Sequence, residues 1–239
     1  MPVLTGYSRF QHPRLWLRAL PSVTPTRNPT RWVGLSAEDR RAERRELLLD
    51  AAFELLGTEG WPGTSVRAVC AAARLNPRYF YESFDDLDAL VVAVYDRIVT
   101  QLGEAVFAAI AEADDDPRSQ TRAAIDRIVS FVDEDRRRGR VLYVEALGNE
   151  ALNRRRIETA HALVAAVELQ ATAAHGPLPP GEHIGRIGAA ILVGGIGELV
   201  ISWLDGRIDV PRDQLVDDAT ALFLAVAATA AQLAVNRAR

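Results

Sequence analysis

Lysine is missing from these 239 residues: all 28 basic side chains are arginine. A GC-rich codon bias is the simplest source of that absence. A single cysteine, Cys70, excludes a disulfide framework and a cysteine-based zinc site. Cys70 falls on an apolar stripe and is expected in the core. No secretory apolar segment opens the chain. The most apolar stretch, 189–204, reads as too short to span a bilayer and carries Glu198. The expectation is a cytoplasmic protein with no membrane partner. There is no glycine-rich phosphate loop, no His-Glu-x-x-His and no nucleophile elbow. No catalytic group, cofactor or metal is expected, and Asp114-Asp115-Asp116 lacks the Gly and distal Glu of a calcium loop. The net charge of −4 argues mildly against nucleic acid, so its distribution matters.

What is present centres on the stretch from Thr64 to Leu90. Thr64 reads as the N-cap of a short helix whose apolar stripe is Val66, Val69, Cys70 and Ala73. The stripe stops at Arg74-Leu75. Asn76 as N-cap and Pro77 at the first helical position open a second helix, with Phe80 and Phe84 on its buried face. Asp85 or Asp86 caps a third, and Asp85-x-x-Asp88 has capping-box spacing. Two short helices joined by about three residues make a helix-turn-helix. The second, about two turns long, fits a major groove roughly 12 Å wide.

At these residues the chain resembles the tetracycline-repressor (TetR) family of transcription regulators. The Thr-Ser-Val-Arg opening at 64–67, the Asn76-Pro77 pair and the Phe80-Tyr81-x-x-Phe84 ending sit at that family's spacing. So does the preceding helix, Arg44 to Leu56, followed by Glu59-Gly60-Trp61. The resemblance covers about 41–101. Arg74 stands where the family usually has glycine, at a turn whose left-handed shape disfavours a side chain. Leu87 replaces a frequent lysine, which removes one phosphate contact.

The resemblance implies an all-α fold. A three-helix helix-turn-helix module joins a helical ligand-binding and dimerisation domain of about six helices. The expected division is a disordered Arg/Pro-rich arm at 1–36, a DNA-binding domain at 37–101 with its motif at about 65–84, and the ligand-binding and dimerisation domain at 102–239. The implied protein is a homodimeric, sequence-specific regulator. It would be a repressor on a palindromic double-stranded DNA operator, released by a hydrophobic small-molecule effector. The alternative is a helical adaptor of the same fold that has lost DNA binding, for which Arg74, Leu87 and the acidic module speak. An enzyme is not expected.

Residues 1–36 carry five arginines and no acid, and five prolines forbid a long helix there. The segment reads as a tail, or as a basic arm for the minor groove; an over-extended gene start is a third reading. Residues 37–90 hold seven arginines against eleven acids, so the module is not basic as a whole. A first helix begins at Ser36, with Asp39 at capping-box spacing, and stops at Gly57 and Gly60. A long helix runs from Asp86 to the Asp114–Pro117 turn. A helix over 118–135 precedes an arginine-rich turn at 136–140, expected to be solvated. Next come a short apolar segment, 141–148, and a helix over 153–175 with His161 on an apolar face beside Ile157. Glycine and proline break the chain at 176–181. A helix over 183–205 is apolar on most sides, slimmed by Gly188, Gly194, Gly195 and Gly197, and a last helix opens at Pro211.

The candidate DNA contacts are Arg78 and Tyr79 on bases, Tyr81 on a phosphate, and Arg44, Arg45, Thr64, Arg67 and Asn76 in support. Arginine suits guanine because it offers a bidentate pair to O6 and N7. The candidate effector site has Tyr95, Phe107, Phe131, Tyr143, Ile128 and Leu147 as walls and Glu145 and His161 as polar anchors, an apolar pocket with few polar groups. The candidate dimer seam is Ile191, Gly195, Leu199 and Trp203 with Leu222, Val226 and Ala230. In the family this helix pair meets its two-fold mate as a four-helix bundle.

Overall fold

The computed structural model describes residues 36–175 and 183–237. Among them all regular structure is helical, as the sequence implied. The expectations for 1–35 and for the break at 176–181 lie outside the described residues. The described residues fall into two compact units, 36–101 with 135–156 and 102–134 with 157–237.

The first unit opens with α1, Ala37–Thr58. Ser36 and Asp39 form the expected capping box, the Asp39 N–H donating to Ser36 Oγ at 3.0 Å and the Ser36 N–H to Asp39 Oδ2 at 3.2 Å. Leu48, Leu49, Ala52 and Leu56 are buried. Gly57 does not end the helix, because the Glu59 N–H still donates to the Leu55 carbonyl. Gly57 is instead a point of close approach: a Cβ there would stand 2.5 Å from Arg137 Cβ. Gly60 makes the turn at φ 76°, a left-handed geometry glycine adopts freely.

After a turn of 3-10 helix, Trp61–Gly63, α2 spans Val66–Ala72. Its N-cap is Ser65, whose Oγ accepts from the Ala68 N–H at 3.2 Å. The expected cap, Thr64, is one residue too early; it is buried and its hydroxyl donates to the Gly60 carbonyl at 2.8 Å. Val69 and Cys70 are the buried residues of α2, and burial pushes the Cys70 thiol pKa up. Arg74 follows with φ 54°, the positive-φ residue other than glycine among those described. The Leu75 N–H reaches back to the Cys70 carbonyl (2.9 Å) and the Arg74 N–H to the Ala71 carbonyl (3.2 Å), the two bonds of a Schellman C-cap.

The recognition helix α3, Pro77–Tyr81, has Asn76 as N-cap, its Oδ1 accepting from the Arg78 N–H at 2.9 Å. The longer α4, Leu87–Glu112, is capped by Asp86, whose Oδ1 accepts from the Ala89 N–H at 2.7 Å. The Asp85–Asp88 box does not form, because Asp88 accepts from Asn149 Nδ2 at 3.0 Å.

The arginine-rich segment is not a solvated turn. Asp135 caps a single helical turn, α6, Arg136–Gly139; wider π-helical winding follows over Arg140–Glu145, then Ala146–Gly148. The Arg137 guanidinium lies over the Phe53 ring at 4.9 Å and pairs with Asp135 and Glu54. Arg140 donates to the Thr58 carbonyl at 2.7 Å and pairs with Glu145 at 2.9 Å. Glu145 in turn accepts the Trp61 N–H at 2.7 Å. The sequence shows four arginines in five residues; it does not show that their acceptors sit some eighty positions earlier.

The second unit contains α5, Pro117–Glu134, α8, Ile184–Leu204, and α9, Arg212–Arg237. It also takes most of α7, Glu150–His175. Asp116 caps α5 by accepting from the N–H groups of Arg118 and Ser119, both at 3.0 Å; the Ser119 side chain first, then these backbone bonds, hold its carboxyl pKa down. α9 packs on both α8 and α5. A Cβ at Gly188 of α8 would stand 3.4 Å from Ala230 Cβ of α9. Arg122–Asp217 (2.8 Å) and Arg212–Asp126 (2.7 Å) tie α5 to α9. The expectation that the apolar stretch is too short for a bilayer is corrected. By length and composition α8, 21 residues, and α9, 26 residues, could each cross one, with mean hydropathies of 1.9 and 1.6.

Candidate nucleic-acid interface

Glu82, at the C-cap of α3, organises the charge around the recognition helix. Its Oε1 accepts from Arg78 Nε at 3.1 Å, its Oε2 lies 3.4 Å from Arg44 Nη2, and its carbonyl accepts from Arg41. The Arg44 guanidinium also covers the Tyr79 ring at 4.4 Å, and that of Arg45 covers the Phe84 ring at 4.9 Å. These contacts fix α3 on α1. The eight candidate DNA residues differ in exposure.

Arg44, Thr64 and Tyr79 belong to the scaffold. Arg44 is 13% exposed, Thr64 is buried and Tyr79 is half-buried beneath Arg44. Arg45 is half-buried, with Glu46 at 3.8 Å. Arg67, Asn76, Arg78 and Tyr81 face solvent. The Arg78 side chain is 83% exposed at the start of α3. Its pair with Glu82 is an i,i+4 surface pair, worth about 0.3–0.5 kcal/mol and readily exchanged for a stronger acceptor. Tyr81 is 62% exposed, its ring set edge-on to Phe80 at 5.2 Å. Sequence reasoning missed Glu82. The Arg78–Glu82 spacing of four was a visible signal; the approach of α1 was not.

The eight candidate effector residues do not fall in one unit. Tyr95, Tyr143, Glu145 and Leu147 lie in the first; Phe107, Ile128, Phe131 and His161 lie in the second. Tyr95 and Phe131 are buried. The Tyr143 hydroxyl pKa is pushed up to about 12 by burial and by Tyr95. Glu145 is no open polar anchor, since both its oxygens are held by Trp61 and Arg140. Leu147 is 66% exposed, and His161 faces solvent rather than a core or pocket. A cleft of about 290 Å³ in the first unit is lined by Asp50, Phe53, Arg97, Ile98, Gln101, Asp135 and Arg138, none of them a candidate effector residue. Arg97 bonds Asp50 there at 2.7 Å.

The candidate dimer residues form a partly open surface on α8 and α9. Ile191 is 58% and Leu222 66% exposed, and nothing stands within 4 Å of a Cβ built on Gly195. Leu199, Trp203, Val226 and Ala230 are half-buried. Trp203 Nε1 donates to the Val210 carbonyl at 2.9 Å, closing the α8–α9 turn. Among the described residues no group of His, Cys, Asp or Glu is arranged to hold a metal ion.

Residues 48–94 match the sequence model of the bacterial regulatory proteins of the tetR family. The HTH-type transcriptional regulator BetI of Stenotrophomonas maltophilia (strain R551-3) is 36% identical over 83 residues, 35% of this chain and 42% of that protein. The chain thus spans about two fifths of the length of the curated relative it matches. Among the solved structures that share the fold are two transcription regulators. A TetR family transcription regulator from Marinobacter aquaeolei VT8 superposes with a TM-score of 0.58 at 19% identity, over 79% of this chain and 97% of that one. The regulator FadR from Bacillus subtilis, in complex with stearoyl-CoA, superposes at 0.60 and 15% identity, over 74% and 96%.

Proposed function

We propose, from the premise that this chain belongs to the bacterial regulatory proteins of the tetR family through its residues 48–94, that it is a homodimeric DNA-binding repressor of transcription. The observation that carries this is the open N-terminal end of α3. Arg78 projects there at 83% exposure, on the same short helix as its cap Asn76 and the exposed Tyr81, and Arg67 on α2 is exposed as well. Arg78 exchanges Glu82 for guanine O6 and N7, discriminating that base by roughly 1–3 kcal/mol. Tyr81 and Arg67 bond phosphates and set the register. Arg44, Thr64 and Tyr79 act through α3 by holding it in place.

The uncovered apolar surface of α8 and α9 is the seam for a second copy. Lipid fits it less well, because Asp213, Asp217 and Asp218 open α9 and two of its residues, Arg212 and Asp217, join ion pairs with α5. The effector is hydrophobic, and the FadR complex with stearoyl-CoA supports a long apolar ligand for this fold. Such a ligand releases DNA only if it binds the DNA-incompetent arrangement more tightly. A coupling of about 1–3 kcal/mol would lower operator affinity roughly 5–150-fold.

The adaptor reading draws on Glu82, which neutralises the recognition arginine, and on the module's excess of acids. Anisotropy titration of the chain against duplex DNA from upstream of its own gene separates the two. Saturable binding that survives excess non-specific DNA supports the repressor; binding no tighter than to unrelated duplex supports the adaptor.

A further inference from the structure

Most arginines of the helix-turn-helix unit have an acidic or carbonyl acceptor. Arg41 and Arg44 hold Glu82, Arg45 lies against Glu46 and Arg78 bonds Glu82. Among the described residues Arg67 and Arg74 have no such acceptor, and both are exposed. Arg67 is the second residue of α2, and Arg74 stands immediately past its C-cap, Ala73. Arg74 is also the residue held at φ 54°. Both Schellman hydrogen bonds lock that conformation, so the chain cannot relax it without opening the cap. A side chain at such a position destabilises the fold relative to glycine. Two residues further on, Asn76 starts the helix whose N-terminal end enters the groove.

We propose that Arg74 is a DNA-backbone contact. On this proposal its guanidinium clamps a phosphate at the rim of the groove that α3 enters. It carries no base preference. It offsets the thin positive charge of a module in which acids outnumber arginines, and it does so at the expense of stability in the turn. The inference rests on the DNA-binding reading of α2 and α3.

The test compares wild type with Arg74→Gly, Arg74→Asn and Arg74→Lys in the full chain. Thermal unfolding is measured on each protein. Anisotropy titrations use a labelled mixed-sequence duplex between about 50 and 200 mM salt. Arg74→Gly is expected to melt about 2–4 °C higher. It should bind about fivefold or more weakly and lower the salt slope by about 0.9 per bound chain. Arg74→Asn, which tolerates the left-handed turn without a charge, should weaken binding equally. Arg74→Lys should keep the slope. Arg74→Gly with the affinity and salt slope of wild type overturns the proposal, as does Arg74→Gly that melts lower. If wild type itself binds no duplex at any salt, the DNA-binding reading falls, and this inference with it. That outcome is told apart by the wild-type titration alone.

Discussion

Charge and apolar surface are used in opposite ways in the two units. In residues 36–101 and 135–156, ionic contacts reach inward: Glu145 is 8% exposed and receives both the Trp61 N–H and Arg140, while Arg155 pairs with Asp96 at 2.6 Å. Leu48 and Leu56 of α1 and Phe80 of α3 are fully covered. In the second unit the ion pairs Arg122–Asp217 and Arg212–Asp126 are substantially exposed, and the large apolar side chains Ile187, Ile191, Leu222 and Val235 face outward. A unit that covers its own apolar surface presents polar groups to a ligand. A unit that leaves such a surface open presents it to a partner.

The largest effect should come from spoiling the open surface. Gly195→Arg adds a charge where a side chain has room, and Leu222→Arg does the same on α9. Both should sediment as monomers and lose about 10²–10⁴-fold in operator affinity, the scale of lost bivalency. Ala230 is the poorer choice, because it already faces Gly188 of its own chain. A wild-type chain that sediments as a monomer at micromolar concentration contradicts the seam.

Glu145→Ala comes next. It leaves the Trp61 N–H and the Arg140 guanidinium without their acceptor, and should lower unfolding free energy by about 2–4 kcal/mol. Asp217→Ala, in the exposed pair, should cost about 0–1 kcal/mol. Equal losses in urea denaturation would erase the contrast between the units.

Arg78→Ala should flatten base preference at one position of each half-site by roughly 1–3 kcal/mol, while Tyr81→Phe should weaken all sequences alike. Binding to a panel of single-base variants reads both effects. An unchanged preference in Arg78→Ala would remove Arg78 from the base-reading role.

The smallest effect concerns pH. The Arg137 guanidinium holds the Asp135 carboxyl below its ordinary pKa. The resulting stabilisation is fully present above the ordinary carboxylate pKa and fades as pH falls through the lowered one. The gap in melting temperature between wild type and Asp135→Asn should therefore be widest near neutrality and close in acid. A gap that widens in acid would refute the assignment.

The local chemistry of the module was legible in advance. Ser36–Asp39, Asn76-Pro77 and the Phe80–Phe84 face depend only on neighbours a few residues away, and all three form as read. The strain at Arg74 was legible too, because a left-handed cap is a local geometry. Two misreadings, Thr64 as cap and Gly57 as stop, shift a boundary by one or two residues. The larger ones were non-local. Arg137 and Arg140 look solvated until Glu54, Thr58 and Glu145 are brought beside them. Glu145 looks available until Trp61 reaches it. His161 sits at helical spacing from Ile157, yet Ile157 is itself 42% exposed, so the stripe that seemed to bury both does not.

The central claim, that two recognition modules are joined through the open α8–α9 surface, is tested most directly by selecting bound duplexes from a random-sequence pool and sequencing them. The account predicts a near-palindrome whose half-sites are centred about one helical turn, roughly 34–36 Å, or a multiple of it apart. Enrichment of a single unrepeated half-site, or of no sequence, would contradict it.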